Sequence, residues 1–78
     1  MDLEIYGEKI FCELDFHNEI ARQLNVENYY GKNLDALWDL LSTGVERPVN
    51  LIWIDANISK NRISSFEKII SILERVKE

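Results

Sequence analysis

Asp35 and Asp39 are the sharpest chemical pair in the sequence. Four residues apart on a helix, they share one surface, at a cost of about 0.2–0.5 kcal/mol for like charges. Paired carboxylates do acid–base work only where one has a raised pKa in a cleft. A short chain with both acids on one exposed helix face offers no evident cleft, so glycosidase-type or metal-dependent chemistry is disfavoured. The bland reading is a solvated acidic face, with Asp35 in a first turn where the helix dipole favours it. The neighbours sharpen the other reading. Tyr29 and Tyr30 precede these acids and Trp38 flanks them. Exposed Tyr, Trp and Asp make up the composition of a protein-binding hot spot. The alternative is ordinary core plus surface, and one of the two tyrosines is expected in the core.

Two further side chains could do chemistry. His17 is the single histidine, so any serine–histidine or cysteine–histidine pairing would have to use it. It falls in the first turn of a helix, where positive charge is disfavoured. A solvated helix residue is the expectation, and a general base is the rival. Cys12 is the single cysteine and cannot make an internal disulfide. No basic neighbour in sequence would lower its pKa, so a small buried or half-buried apolar residue is expected. No Gly-rich phosphate loop, zinc spacing or EF-hand pattern occurs, so no metal and no cofactor are expected.

The elements that must position these residues follow from local pattern. Leu3 and Ile5 alternate with Glu4 and Tyr6, a short strand stopped by Gly7. Ile10 and Phe11 extend it or pack beside it. Asp15 suits an N-cap, and Phe16, Ile20 and Leu24 mark one stripe of a helix over about 16–24, closed by Asn25. Residues 26–32 read as a loop in which Gly31 suits positive φ. Asn33 is the next N-cap. A second helix spans about 34–43, with Leu34, Leu37, Leu40 and Leu41 on its core face. Trp38, Ser42, Asp35 and Asp39 fall on the neighbouring face. Gly44 suits the exit and Pro48 blocks continuation. Residues 49–54 are apolar and β-branched, as in a well-buried strand holding Trp53 in the core. Residues 55–62 are ambiguous, with a short helical turn as one option. Ser64 and Glu67 fit a capping box before a last helix carrying Phe66, Ile69, Ile70, Leu73 and Val76. The order is β-α-α-β-(α)-α. Strands separated by helices favour parallel pairing. Two strands alone are a weak sheet.

Composition bounds the rest. Seventy-eight residues allow one domain, 1–78, with a folded surface of roughly 5,000 Å². The chain is 46% hydrophobic and 29% charged, as in a globular domain and unlike a disordered one. Its net charge is −5, which disfavours general nucleic-acid binding and suits a basic protein partner. Residues 1–46 carry ten acids and three bases, and 47–78 carry four acids and six bases. The acidic start lacks a basic-then-apolar leader, and the apolar run at 51–54 is too short to span a bilayer. With the lone cysteine, the expectation is a reduced, cytoplasmic protein without membrane contact.

The segment Tyr29-Tyr30-Gly31-Lys32-Asn33-Leu34-Asp35-Ala36-Leu37-Trp38-Asp39-Leu40-Leu41 resembles the signature of the barstar family of intracellular ribonuclease inhibitors. The exit at Glu46-Arg47-Pro48 and the opening strand with Gly7 are also similar. The likeness is specific over 29–41, weaker over 1–28 and 45–54, and slight after Asp55. It implies an α/β, barstar-like fold with a small parallel sheet, and a non-enzymatic inhibitor of a basic, secreted, barnase-type ribonuclease. It further implies partner binding through Tyr29, Asn33, Asp35, Trp38 and Asp39, continuing over Ser42, Thr43, Gly44 and Glu46. Asp39 would stand in for an RNA phosphate, with Asp35 pairing to a second basic group. A related module whose partner is another toxin or a non-nuclease protein is the alternative.

Three features depart from the family pattern. Ser42-Thr43-Gly44-Val45 holds no aromatic where the family often has one. On the last helix, the family's acidic contact falls near Glu74 or is replaced by Arg75. The sequence given stops in the helix that normally leads to a final strand. A monomer is expected, with dimerisation through the open sheet edge as the other option.

Overall fold

The computed structural model describes residues 2–43 and 50–76. The described chain runs β1 (Asp2–Tyr6), a 3-10 turn (Gly7–Lys9), α1 (Glu13–Leu24), α2 (Leu34–Thr43), β2 (Asn50–Ile54), α3 (Ala56–Arg62) and α4 (Phe66–Val76). It is the expected mixed α/β order, and α3 resolves the ambiguous stretch as helix. Among the described residues no helix is long and apolar enough to cross a membrane.

β1 buries Leu3 and Ile5 and exposes Asp2, Glu4 and Tyr6. It pairs in parallel with β2, from Asp2 opposite Asn50 to Tyr6 opposite Ile54. That register puts Leu51 and Trp53 on the core side with Leu3 and Ile5. The expected well-buried strand is corrected here: β2 is only half-buried, and Ile52 is 47% exposed on the other face. With two strands in the described sheet, β2 is an edge strand and has one covered flank. Trp53 still packs inward, its ring stacked on Phe16 at 4.9 Å and tilted against Phe66 at 5.0 Å. The core is completed by Ile10, Ile20, Ala21, Leu37, Leu40, Leu41, Ile63 and Ile69.

Gly7 is required by space. A Cβ there would stand 2.2 Å from the Asp55 carbonyl oxygen, in rigid backbone. The close approach lets Trp53 Nε1 donate to Ser59 Oγ at 3.1 Å, while Ser59 donates to the Gly7 carbonyl at 3.1 Å. One buried hydroxyl thereby joins β2, α3 and the end of β1.

Several local expectations are corrected. α1 begins at Glu13 with Cys12 as N-cap, not at Asp15. Asp15 works from inside the first turn, accepting the Phe11 N–H at 2.9 Å. Cys12 is exposed rather than buried, because its place at the helix mouth faces solvent. Positive φ falls on Lys32 (φ 54) and not on Gly31, where an added Cβ would stand 3.2 Å from the Ala36 methyl. The Ser64–Glu67 capping box does not form. α4 opens one residue later, with the Ile69 N–H on the Ser65 carbonyl at 3.1 Å, and Glu67 lies 3.7 Å from Lys60. Asn25 does close α1, at φ 58, and Val26 N–H reaches back to the Ala21 carbonyl at 2.9 Å. This left-handed exit satisfies the last carbonyls of the helix.

Candidate functional site

α2 is fixed from both sides. Leu37, Leu40 and Leu41 are buried, and Leu34 is half-buried against the core. At its start Asn33 Oδ1 accepts the Ala36 N–H at 2.7 Å, while Asn33 Nδ2 contacts the Gly31 carbonyl at 3.4 Å. An Asn cap of this kind satisfies one of the free donors of the first turn. At its end, Thr43 Oγ1 donates to the Asp39 carbonyl at 2.9 Å, and Ser42 Oγ donates to the Trp38 carbonyl. Both hydroxyls bond their own helix, which fixes their rotamers.

What remains faces outward. Asp35 and Asp39 are exposed, one turn apart. Trp38, on the adjoining side of the helix, is half-buried. Tyr29 is 73% exposed in the preceding loop. α2 and its lead-in loop thus carry Tyr29, Asn33, Asp35, Trp38, Asp39, Ser42 and Thr43, of which Asn33, Ser42 and Thr43 have local bonding duties. Gly44 and Glu46 lie outside the described residues. A contact absent from the sequence reading is made by Arg75 of α4, whose guanidinium lies 4.7 Å from the Trp38 ring centroid.

α1, Tyr30 and Ser65 also build a polar network that periodicity alone missed. Tyr30 is the core tyrosine, 7% exposed. Its hydroxyl meets His17 Nδ1 at 2.6 Å, and His17 Nε2 meets Glu13 Oε2 at 2.8 Å. Ser65 Oγ donates to the other Glu13 oxygen at 2.6 Å. His17 is therefore buried, not solvated. The Phe16–Ile20–Leu24 stripe marked the centre of the α1 core face, and that face also includes His17 and Ala21. The Glu13 carboxylate can only accept, so Nε2 carries the proton; in the neutral ring Nδ1 accepts from Tyr30. The hydrogen bonds from Ser65 and His17 hold the Glu13 carboxyl below the usual carboxylate range. Burial, reinforced by the Glu13 charge, pushes the Tyr30 hydroxyl up. The Glu13–His17 spacing of four was the local signal for the first link. The links to Tyr30 and Ser65 are tertiary.

A face of this kind is suited to binding. Its acids are solvated, while His17, in the buried network, is committed on both nitrogens. The family model for Barstar (barnase inhibitor) matches residues 1–78. A Bacillus subtilis (strain 168) protein named "Putative ribonuclease inhibitor YrdF" is 30% identical over 63 residues, which cover 80% of this chain and 69% of that protein.

Proposed function

Because the chain belongs to the barstar family, we propose that it is a non-enzymatic inhibitor that blocks the active site of a small basic ribonuclease, of the barnase type, inside the cell. What supports this reading is the outward side of α2, where Asp35 and Asp39 are exposed next to half-buried Trp38, with Tyr29 exposed in the preceding loop. A ribonuclease active site is built to hold phosphate with cationic side chains. The Asp39 carboxylate takes the place of that phosphate, and Asp35 engages a second cation. Charge-assisted hydrogen bonds of this type are shorter and stronger than neutral ones. Tyr29 and Trp38 contribute packed aromatic area around them.

Preorganisation favours the same reading. Asn33 fixes the start of α2 and Leu37, Leu40 and Leu41 fix its rotation, so the carboxylates are presented on a rigid element. The acidic excess of residues 1–46 raises the encounter rate with a cationic enzyme. The test is titration of the folded protein into an RNA-cleavage assay with a barnase-type ribonuclease, at low and high salt. Stoichiometric inhibition that weakens with salt, mainly through slower association, is the expected result. A folded sample that leaves cleavage untouched at both salts would redirect the face to another protein partner.

A further inference from the structure

The charges on this face are not all negative. Arg75, on exposed surface of α4, lays its guanidinium over the Trp38 ring. Among the described residues no carboxylate stands within ion-pair distance of it. Its positive charge is therefore held against the Trp38 ring, without a carboxylate partner among the described residues. Lys32 is also exposed, in the lead-in loop, and no ring contact fixes it.

We infer that Arg75 is a specificity determinant of the binding face: it disfavours a partner that is cationic throughout and selects one that places a carboxylate opposite Trp38. The inference rests on the inhibitor reading and deepens it. Asp35 and Asp39 attract a basic surface, but such a surface closing over Trp38 meets Arg75. It must then accept like-charge contact or push the guanidinium off the ring. Like-charge juxtaposition is a common means of rejecting wrong partners. A carboxylate at the same point meets a planar fork of donors already oriented by the ring, and can bind it through two parallel hydrogen bonds. The chosen partner is thus a basic protein with one acid set into its contact surface.

The test compares the natural chain with Arg75→Ala and Arg75→Glu, each checked for folding by thermal melting, as inhibitors of a barnase-type ribonuclease with a uniformly basic rim. The expected order of affinity is Glu tightest, Ala intermediate and Arg weakest. The span from Arg to Glu should be tenfold or more and should shrink at high salt. A merely structural arginine, one that only packs α4 on α2, would give equal affinities for the Ala and Glu variants and a shared loss of stability. Equal affinities, or tightest binding by the natural chain, overturn the inference. An Asp39→Ala chain is measured alongside. If it loses inhibition while the Arg75 series stays level, the inhibitor reading stands and the role of Arg75 falls. If it too inhibits like the natural chain, the reading of the face falls and the inference with it.

Discussion

The outward side of α2 and the polar network around His17 handle charge in opposite ways. On the face, Asp35 and Asp39 are exposed and neither carboxylate pairs with another side chain among the described residues. In the network, Glu13, His17, Tyr30 and Ser65 satisfy one another at 2.6–2.8 Å. No buried side-chain polar atom among the described residues is left without a partner. Tyr29 and Tyr30, adjacent in the chain, fall on the two sides of this divide. The difference teaches which residues carry binding and which carry the fold. Groups kept free of internal partners can give their full interaction to another molecule. Groups that are satisfied internally can only lose by change.

The largest effect should come from the face. Asp39→Ala should weaken a ribonuclease complex by about 2–5 kcal/mol or more, the range for truncating one member of a buried charge pair. Its melting temperature should not fall. Inhibition titrations beside thermal melts check both halves. Unchanged affinity would remove Asp39 from the site, and a large drop in stability would break the division between face and network.

The network should answer in the reverse sense. Tyr30→Phe leaves His17 Nδ1 buried without its hydroxyl partner, which should cost about 1–3 kcal/mol of stability. Affinity, measured well below the melting temperature, should change little. Acid should reach the same network. The Glu13 carboxyl sits below its ordinary value of 4.5, so its contribution is complete above that pH and is lost as pH falls through the lower, folded-state value. Stability should decline across that acid window. Glu13→Gln should be less stable at neutral pH and show a shallower acid decline. An identical acid limb in the two chains would place the loss elsewhere, with Glu19, also held low by Arg22, as the next candidate.

How much of this was legible in the sequence depended on range. α2 spans Leu34–Thr43 as read, because its signals are local: an Asn cap, four leucines at helical spacing, and acids on the adjoining side. β1 and its alternation were equally local. The network was not legible, because Ser65 meets Glu13 across 52 positions and a helical stripe gives the centre of a buried face without its width. The same limit explains the misplaced start of α4, where Ser65 serves a tertiary partner. It also explains Arg75, whose ring contact depends on how α4 packs on α2. Even an exposed strand edge carried hidden information. Gln23 of α1 accepts the Glu4 N–H at 3.1 Å and donates to the Glu4 carbonyl at 2.7 Å. One side-chain amide thereby acts as a strand partner on the free flank of β1.

Asn33 belongs to both regions and tests whether they can be separated. Its side chain caps α2 and it occupies one of the positions implied in binding. Asn33→Ala should cost about 1 kcal/mol of stability through the lost cap. Asn33→Asp keeps a cap acceptor, so it should retain that stability. If affinity drops equally for both variants, the amide contacts the partner. If only the Ala variant binds less well, Asn33 acts through the placement of α2.

The smallest effect sharpens the comparison most. Asp39 lies in the second half of α2, away from the positive end of the helix dipole and four residues after Asp35. Asp39→Asn, nearly isosteric, should therefore relieve like-charge repulsion and raise stability by about 0.2–0.5 kcal/mol at low salt. Asp35→Asn relieves the same repulsion but gives up a favourable charge in the first turn, worth about 0.3–1 kcal/mol. It should come out neutral or slightly destabilising. Both variants should bind a ribonuclease less tightly. The stability difference between them should fade at high salt, as for any exposed charge. Denaturant unfolding at two ionic strengths resolves it. A stability gain paired with an affinity loss at Asp39 would mean that this carboxylate is held against the preference of its own helix, as expected of a group placed for its partner. A stability loss there would mean that Asp39 serves the fold, and the contrast between the two regions would fail at its most exposed point.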